Sequence, residues 1–402
     1  MMKPKLAIHG GTPVRREFLP YGRQAIHDDD IRAVTDVLKS DFLTTGPKIE
    51  QFEKAIASYV GAKYAVSFTN GTAALHAACF AAGINEGDEV ITTPLTFVTS
   101  ANAPRYQGAN VVFSDVDEKT YNIDPKAAEK QITPKTKAII PVDFAGQPCD
   151  YDALTGLAER YNLTIIEDAA HAIGAKYKNK HIGSISDMTM FSFHPVKQMT
   201  TGEGGIITTN SFKYYEKLIQ FRTHGITREE SKLMNQGGPW YYEMHHLGFN
   251  YRMTDLQAAL GISQIKRLNQ FIKKRKHLVS RYDEAFKSIQ AITTPFVHEE
   301  AQSSWHLYVI HLAQSQLTTD RKMIYKALQS ENIGVNVHYI PVYYHPYYKH
   351  LGYLKGLCPV AESLYESFIT LPLFPSMTEA DVDDVVKAVY KVIDYYQKDD
   401  AS

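Results

Sequence analysis

Cysteine is scarce in this sequence. There are three in 402 residues, Cys79, Cys149 and Cys358, far apart and with no CxxC pair. Their number and spacing argue against a disulfide framework or a structural zinc site and fit a reducing compartment. No uncharged apolar run reaches 18 residues, which argues against a transmembrane helix. The stretch Met1–Pro13 has no apolar central region and does not read as a signal peptide. Neither sign of charge is in excess. Lys plus Arg number 43 and Asp plus Glu 44, a formal net charge of −1. A chain-wide basic footprint for nucleic acid is therefore not expected, nor an acidic disordered tail. Also missing are GxxxxGK[ST], G-x-G-x-x-G and HExxH. P-loop phosphate binding, nicotinamide or flavin binding and a metal site lose their main support. There are no internal repeats and no low-complexity linker. The expectation is a cytoplasmic protein that uses neither nucleic acid nor membrane.

What is present is ordinary globular composition, 44% hydrophobic and 22% charged, with short apolar runs alternating with helical patterns. Strands are expected at Tyr64–Phe68, Glu89–Thr92, Asn110–Phe113, Ala138–Val142, Leu163–Glu167, Met188–Phe193 and Gly205–Thr209. Helices are expected at Gly71–Ala82 and Ala153–Tyr161. This alternation implies an α/β fold with a mostly parallel sheet covered by helices. After Thr254 the pattern changes. Thr254 and Gln257 form a capping-box signature, and Leu256, Leu260, Ile265, Leu268 and Ile272 mark the stripe of one long helix. Further strands are expected at Leu307–His311 and Gly334–His338, and a last helix near Ala380–Tyr396. The boundaries expected are a large domain over residues 1–265 and a smaller C-terminal α/β domain over 266–402.

Three segments could carry chemistry. Thr69-Asn70-Gly71-Thr72-Ala73-Ala74 follows a strand and opens a helix. Free N–H groups and the helix dipole suit a phosphate there, although an ordinary capped turn would look the same. Glu167-Asp168-Ala169-Ala170-His171 ends an apolar strand, where open parallel sheets place their ligands, although a solvated strand end or a helix cap fits the motif as well. Phe191–Lys197, followed by Thr200–Gly205, takes a lysine out of a strand into a glycine-rich turn. Desolvation there would lower its pKa and make it nucleophilic towards carbonyls, although a surface lysine in a loop would read the same. A phosphate cradle, a strand-end acid and a strand-end lysine together suit pyridoxal phosphate. Its aldehyde forms a Schiff base with lysine, its ring nitrogen needs an acid, and its phosphate needs N–H groups.

These motifs also carry a family resemblance. TTGP (44–47), TNGTAAL (69–75), PLTFVTSANA (94–103), EDAAHAIGA (167–175), FSFHPVKQMTTGEGG (191–205), LGFNYRMTDLQAALG (247–261) and LPLFPSMT (371–378) resemble the DegT/DnrJ/EryC1/StrS sugar aminotransferases. The resemblance runs from about Pro20 to Met377. It implies the type I fold of pyridoxal-phosphate aminotransferases, with a mostly parallel seven-stranded sheet in the large domain. The segments YYEMHHLGFNYRMTD and VHYIPVYYHPYY are most similar to the branch acting in pseudaminic acid biosynthesis. That branch aminates C4 of a UDP-linked 4-keto-6-deoxy-N-acetylhexosamine.

The resemblance implies that Lys197 is catalytic and bonds to the cofactor, and that Asp168 pairs with the pyridine nitrogen. It implies that Phe97 stacks on the ring and that His171 lies near the phenolic oxygen. Thr72, Ala73 and Ser192 would bind the phosphate. Asn250 would reach the cofactor of a neighbouring subunit, making a homodimer with shared active sites, and Arg252 could serve the same interface. Substrate contacts are expected from Thr45, His194, Arg228, Tyr339 and Tyr343. His194 also has a purely structural reading, and the tyrosines from Tyr339 to Tyr353 also read as an aromatic core. Arg222, His224 and Arg228 could meet a diphosphate or line a solvated loop. The expected substrates are a nucleotide sugar and an amino donor, glutamate by the same resemblance. The rival readings are action on a dTDP-linked sugar or at C3, and a non-catalytic regulator of the same fold.

Overall fold

The computed structural model describes residues 5–235 and 237–398, so the first four residues of the Met1–Pro13 stretch lie outside the described residues. Seven strands form the main sheet: β1 (Tyr64–Phe68), β2 (Glu89–Thr92), β3 (Asn110–Phe113), β4 (Thr136–Ile140), β5 (Thr164–Asp168), β6 (Met188–Ser192) and β7 (Gly205–Thr209). Their order is β1-β7-β6-β5-β4-β2-β3. From β6 through β3 the neighbours are parallel, while β7 runs antiparallel to both β6 and β1.

Side chains alternate across a strand, and here both faces are buried. Ala65, Ile139, Ile165, Phe191 and Ile206 point into one apolar layer. Val66, Ile140, Ile166, Met190 and Ile207 point into the other. This is why the strands read as predominantly apolar runs. The first layer packs on helix α2 (Pro47–Val60), whose Phe52, Ile56, Ala57 and Val60 form its buried stripe. The second packs on helix α3 (Gly71–Ala81), which is apolar nearly all round. Alanine, the best helix former, suits a helix so enclosed.

Three expectations change. The fourth and fifth strands begin and end about one or two residues away from the expected bounds. Pro141 follows β4 and has no N–H for a ladder, and Asn162 sits at φ 54 as the cap of the helix before β5. The long helix after Thr254 is two helices, α4 (Asp255–Ile265) and α5 (Leu268–Phe286). The Thr254–Gln257 capping box is formed. The break falls at Lys266–Arg267, where the Arg267 guanidinium binds the carboxylates of Asp29 and Asp30. Finally, Gly334–His338 is not a strand. Asn336 makes a single bridge to Thr370.

The C-terminal sheet orders three strands as Ile292–Thr293, Tyr308–Leu312 and Phe368–Leu371. It packs on α5 and on the last helix, α6 (Glu379–Tyr396). Leu6 and Leu19 belong to that same core, so the start of the chain packs with its end. A further cluster joins Leu95, Val111 and Phe113 to Val309, Tyr343 and Phe368, tying the sheet's β3 edge to the C-terminal region. Among the described residues no helix is long and apolar enough to cross a membrane.

Candidate active site

The parallel strands β2, β4, β5 and β6 end on one side of the sheet, and a cavity of about 720 Å³ opens there. Such strand ends are where open α/β sheets place ligands. β5 ends on Asp168. Strand alternation sends Glu167 to the Ile165 face and Asp168 towards the cavity. Asp168 is buried. Its Oδ2 accepts the Ser100 hydroxyl at 2.6 Å and its Oδ1 accepts the Ala170 N–H at 3.1 Å. Ser100 Oγ in turn lies 2.7 Å from Thr96 Oγ1. Burial raises the Asp168 carboxyl above its ordinary pKa, while the Ser100 hydroxyl, the Ala170 N–H and the Lys197 charge oppose the rise.

β6 ends on Ser192, and the chain then turns so that the Lys197 N–H donates to the His194 carbonyl at 2.9 Å. Lys197 faces the cavity and is half-buried. Desolvation lowers its amine to about 8, against an opposing pull from Asp168. The neutral, nucleophilic amine is thus brought close to physiological pH. Gln198, next in sequence and buried, donates from Nε2 to the His171 carbonyl and to Ser304 Oγ, which binds the lysine turn to the His171 turn.

The third part is the N-terminus of α3. The Asn70 side chain accepts the Ala73 N–H at 2.9 Å as the helix cap. Ala73 is buried, its N–H is thereby used, and it does not line the cavity. Gly71 and Thr72 line the cavity beside Ser192. A Cβ on Gly205 would lie 2.5 Å from the Asn70 carbonyl oxygen, so only glycine lets β7 run this close to the turn.

Phe97, 61% exposed, presents its ring to the cavity, 6.4 Å from the Tyr339 ring centre. His171 is buried beneath. Its Nε2 lies 3.0 Å from the Tyr339 hydroxyl, and its ring is 4.4 Å from that of His306. Burial holds the imidazoles of His171 and His306 well below the usual histidine range, and the Lys197 charge adds to this. His194 also lines the cavity while remaining exposed.

The structure therefore brings together Thr72, Phe97, Asp168, His171, Ser192, His194, Lys197 and Tyr339. It leaves others outside the cavity. Thr45 is exposed at φ 57 and donates its hydroxyl to the Thr44 carbonyl. Arg228 sits over the Tyr242 ring. Asn250 is exposed and bridges Thr223, beside the β1–α3 turn where the Thr69 N–H donates to the Tyr251 carbonyl. Tyr343 is fully buried, with its hydroxyl donating to Glu362 Oε1 at 2.6 Å, so it is a core residue. Tyr348 and Tyr353 are likewise tied to Asn102 and to the Val111 carbonyl. The aromatic-core reading holds for these three, and of the tyrosines from 339 to 353 it is Tyr339 that reaches the cavity. Arg222 is held by Glu53 and the Ser67 carbonyl and is structural.

Sequence reasoning missed Tyr21, Ser100, Gln198, Asn336, His306 and His338. The one local signal was the Thr96/Ser100 spacing, one helical turn apart and inside the PLTFVTSANA motif.

Residues 24–390 match the DegT/DnrJ/EryC1/StrS aminotransferase family. The chain is 45% identical over 381 residues to the spore coat polysaccharide biosynthesis protein SpsC of Bacillus subtilis, covering 94% of this chain and 98% of that protein. Helicobacter pylori PseC, an aminotransferase involved in the biosynthesis of pseudoaminic acid, superposes with a TM-score of 0.87 at 33% identity. The match covers 95% of this chain and 100% of that one. Spr1654 of Streptococcus pneumoniae, solved in PMP- and PLP-forms, superposes with TM-scores of 0.88 and 0.87 at 32% identity. It covers 94% of this chain and 99% of that one.

Proposed function

Because the chain belongs to the DegT/DnrJ/EryC1/StrS aminotransferase family, we propose that it binds pyridoxal phosphate in this cavity and transfers an amino group from a donor amino acid to a keto-sugar carried on a nucleotide. The carrying observation is the pairing of Lys197 and Asp168 on adjacent strand ends, facing one cavity, each shifted by burial and each opposing the other's shift.

The residues fit the cofactor. The first-turn N–H groups of α3 at Gly71 and Thr72, with the Ser192 hydroxyl, suit a phosphate. The Asp168 carboxylate, oriented by Ser100, suits a protonated ring nitrogen, and the Phe97 face can cover the ring. When bound, the cofactor supplies an aldehyde that takes up amines and a ring that accepts electron density from the reacting carbon. The chain supplies the rest. Lys197 Nζ, neutral in part near pH 8, removes and returns the proton at the reacting carbon. Asp168 keeps a proton on the ring nitrogen. Glutamate is the proposed donor.

We assign the acceptor to the UDP-linked 4-keto-6-deoxy-N-acetylhexosamine class, aminated at C4. This rests on the C-terminal tyrosine segment and on the likeness to PseC. Among the described residues Lys197 is the one lysine or arginine lining the cavity. An anionic substrate therefore needs cations from elsewhere, which supports a homodimer in which Asn250 reaches the partner's cofactor, Arg252 serves the same interface and Arg228 meets the substrate's diphosphate. Exposed apolar side chains support it too, among them Ile31, Phe42, Trp240 and Leu247. The 1–265 and 266–402 division is part of the same reading, with the catalytic strands in the first segment.

Borohydride reduction of the loaded enzyme followed by peptide mapping tests the central point. A pyridoxyl mass is expected on the peptide containing Lys197, and its absence there overturns the reading. A panel of UDP- and dTDP-linked keto-sugars with glutamate then tests the acceptor. Preferred turnover of a dTDP-linked sugar, or amination at C3, would overturn that finer assignment.

A further inference from the structure

Directly behind Asp168 lie two carboxyl groups that the proposed reaction does not use. Asp143 follows β4 and Glu167 precedes Asp168 on β5, and both side chains are fully buried. Asp143 Oδ1 accepts the Tyr151 hydroxyl at 2.7 Å and the Cys149 N–H at 2.9 Å. Glu167 Oε2 accepts the Thr189 hydroxyl at 2.5 Å. One oxygen on each acid is left over. Asp143 Oδ2 and Glu167 Oε1 are both buried with no donor. Two ionised carboxylates with bare oxygens in such a place would each lack a partner, at a high desolvation cost. One proton placed between those oxygens satisfies both.

We propose that Asp143 and Glu167 share a single proton through Asp143 Oδ2 and Glu167 Oε1, and that this bridge positions Asp168. The positioning follows from the backbone. The Asp143 N–H donates to the Asp168 carbonyl at 3.2 Å, and the Asp168 N–H donates to the Pro141 carbonyl at 2.9 Å. The side-chain bridge therefore closes a clamp between the end of β4 and the residue that precedes Asp168. Alternation along β5 puts the bridge on the opposite face of the sheet from the cavity.

The surroundings agree. Burial is the largest influence on both carboxyls, raising each, and the two interact with one another. The other groups acting on them are Tyr151, Cys149, Thr189 and Ser186. Tyr151 and Cys149 are themselves raised by burial and stay neutral, so none of the groups acting on the pair is a cation that could replace the proton. The pair carries one negative charge, and the folded state holds a proton that the unfolded chain releases above about pH 5. Stability contributed by the bridge is present at low pH and is lost as pH rises towards the folded-state pKa of the pair.

Asp143→Asn and Glu167→Gln test this on the full-length apoprotein. Each replaces the O–H···O bridge by an N–H···O bridge of the same shape and removes the shared proton. The unfolding equilibrium constant is measured in urea from pH 5 upwards. The ratio of wild type to variant is expected to climb by up to about tenfold per pH unit, one proton's worth. A ratio that stays flat with pH overturns the shared proton. An infrared band for a protonated carboxyl, present in wild type and lost in Glu167→Gln, is the second readout. The positioning part rests on the reading of Asp168 as the cofactor's partner. Asp143→Ala should weaken pyridoxal phosphate binding at least tenfold, with Asp143→Asn restoring it. Equal binding by all three overturns positioning. If Asp143→Ala does not fold, then at least tenfold weaker binding by Asp143→Asn or Glu167→Gln than by wild type overturns it, because both keep the bridge. Trapping at Lys197 in the wild type reports the cofactor reading separately.

Discussion

Ser100 offers a sharp test of how the cavity works, because among the described residues its hydroxyl is the one side-chain donor to Asp168, and it comes from a different segment of the chain. Replacing Ser100 by Ala removes a 2.6 Å hydrogen bond to a buried carboxylate. A hydrogen bond to a charged group is worth about 1.5–3 kcal/mol. One pKa unit corresponds to about 1.4 kcal/mol, so the Asp168 carboxyl should rise by roughly one to two units. Burial already holds it above the ordinary value, so the ionised form at neutral pH becomes scarcer. Less ionised Asp168 means a weaker hold on a protonated ring nitrogen. Pyridoxal phosphate affinity and the rate of the half-reaction with glutamate should each fall on the order of tenfold to a hundredfold, with Ser100→Thr restoring most of the loss. The apoprotein's stability carries a matching sign. A carboxyl whose folded pKa is raised above about 3.9 binds more protons folded than unfolded. Its contribution is therefore lost as pH rises, and Ser100→Ala deepens that loss. The deficit of the variant should be largest at neutral pH and shrink on acidification as Asp168 takes up a proton. Absorbance titration with pyridoxal phosphate, a single-turnover assay and urea melts at several pH values measure all three. Binding and half-reaction rates within about twofold of wild type, together with a stability deficit independent of pH, would refute the reasoning.

Two further outcomes follow from the same geometry. The apoprotein's Lys197 should react with an amine-directed reagent with a midpoint near pH 8, and Asp168→Asn should move that midpoint down, because Asp168 raises the lysine's pKa; an unchanged or higher midpoint counts against their coupling. Tyr343→Phe should cost about 1–3 kcal/mol in urea unfolding by leaving Glu362 short of a buried donor, while kcat and KM for the sugar stay near wild type; a raised KM without destabilisation would return Tyr343 to the substrate.

Local chemistry along the chain determined much of this protein. The apolar runs of β1 to β7 are visible because a sheet buried on both faces favours apolar side chains on both sides of each strand. The Thr254–Gln257 capping box is visible because its partners are three residues apart. Lys197, Asp168 and the Asn70–Gly71–Thr72 turn stood out because each lies at or within a few residues of a strand end. Other properties needed the tertiary structure. At the break between α4 and α5, Arg267 pairs with Asp29 and Asp30, more than two hundred residues away in sequence. Whether a tyrosine serves the cavity or the core depends on which wall its hydroxyl meets. Tyr339 meets His171, and Tyr343, four residues later, meets Glu362. That the Asn70 side chain takes the Ala73 N–H is likewise a matter of how the turn folds. The clearest case is the Glu167-Asp168 pair, two adjacent acids with the same chemistry in sequence. The pleat turns one to the cavity and the other to Asp143. Only the packing of the two sheet faces decides that one can meet a ligand and the other holds a proton inside the protein.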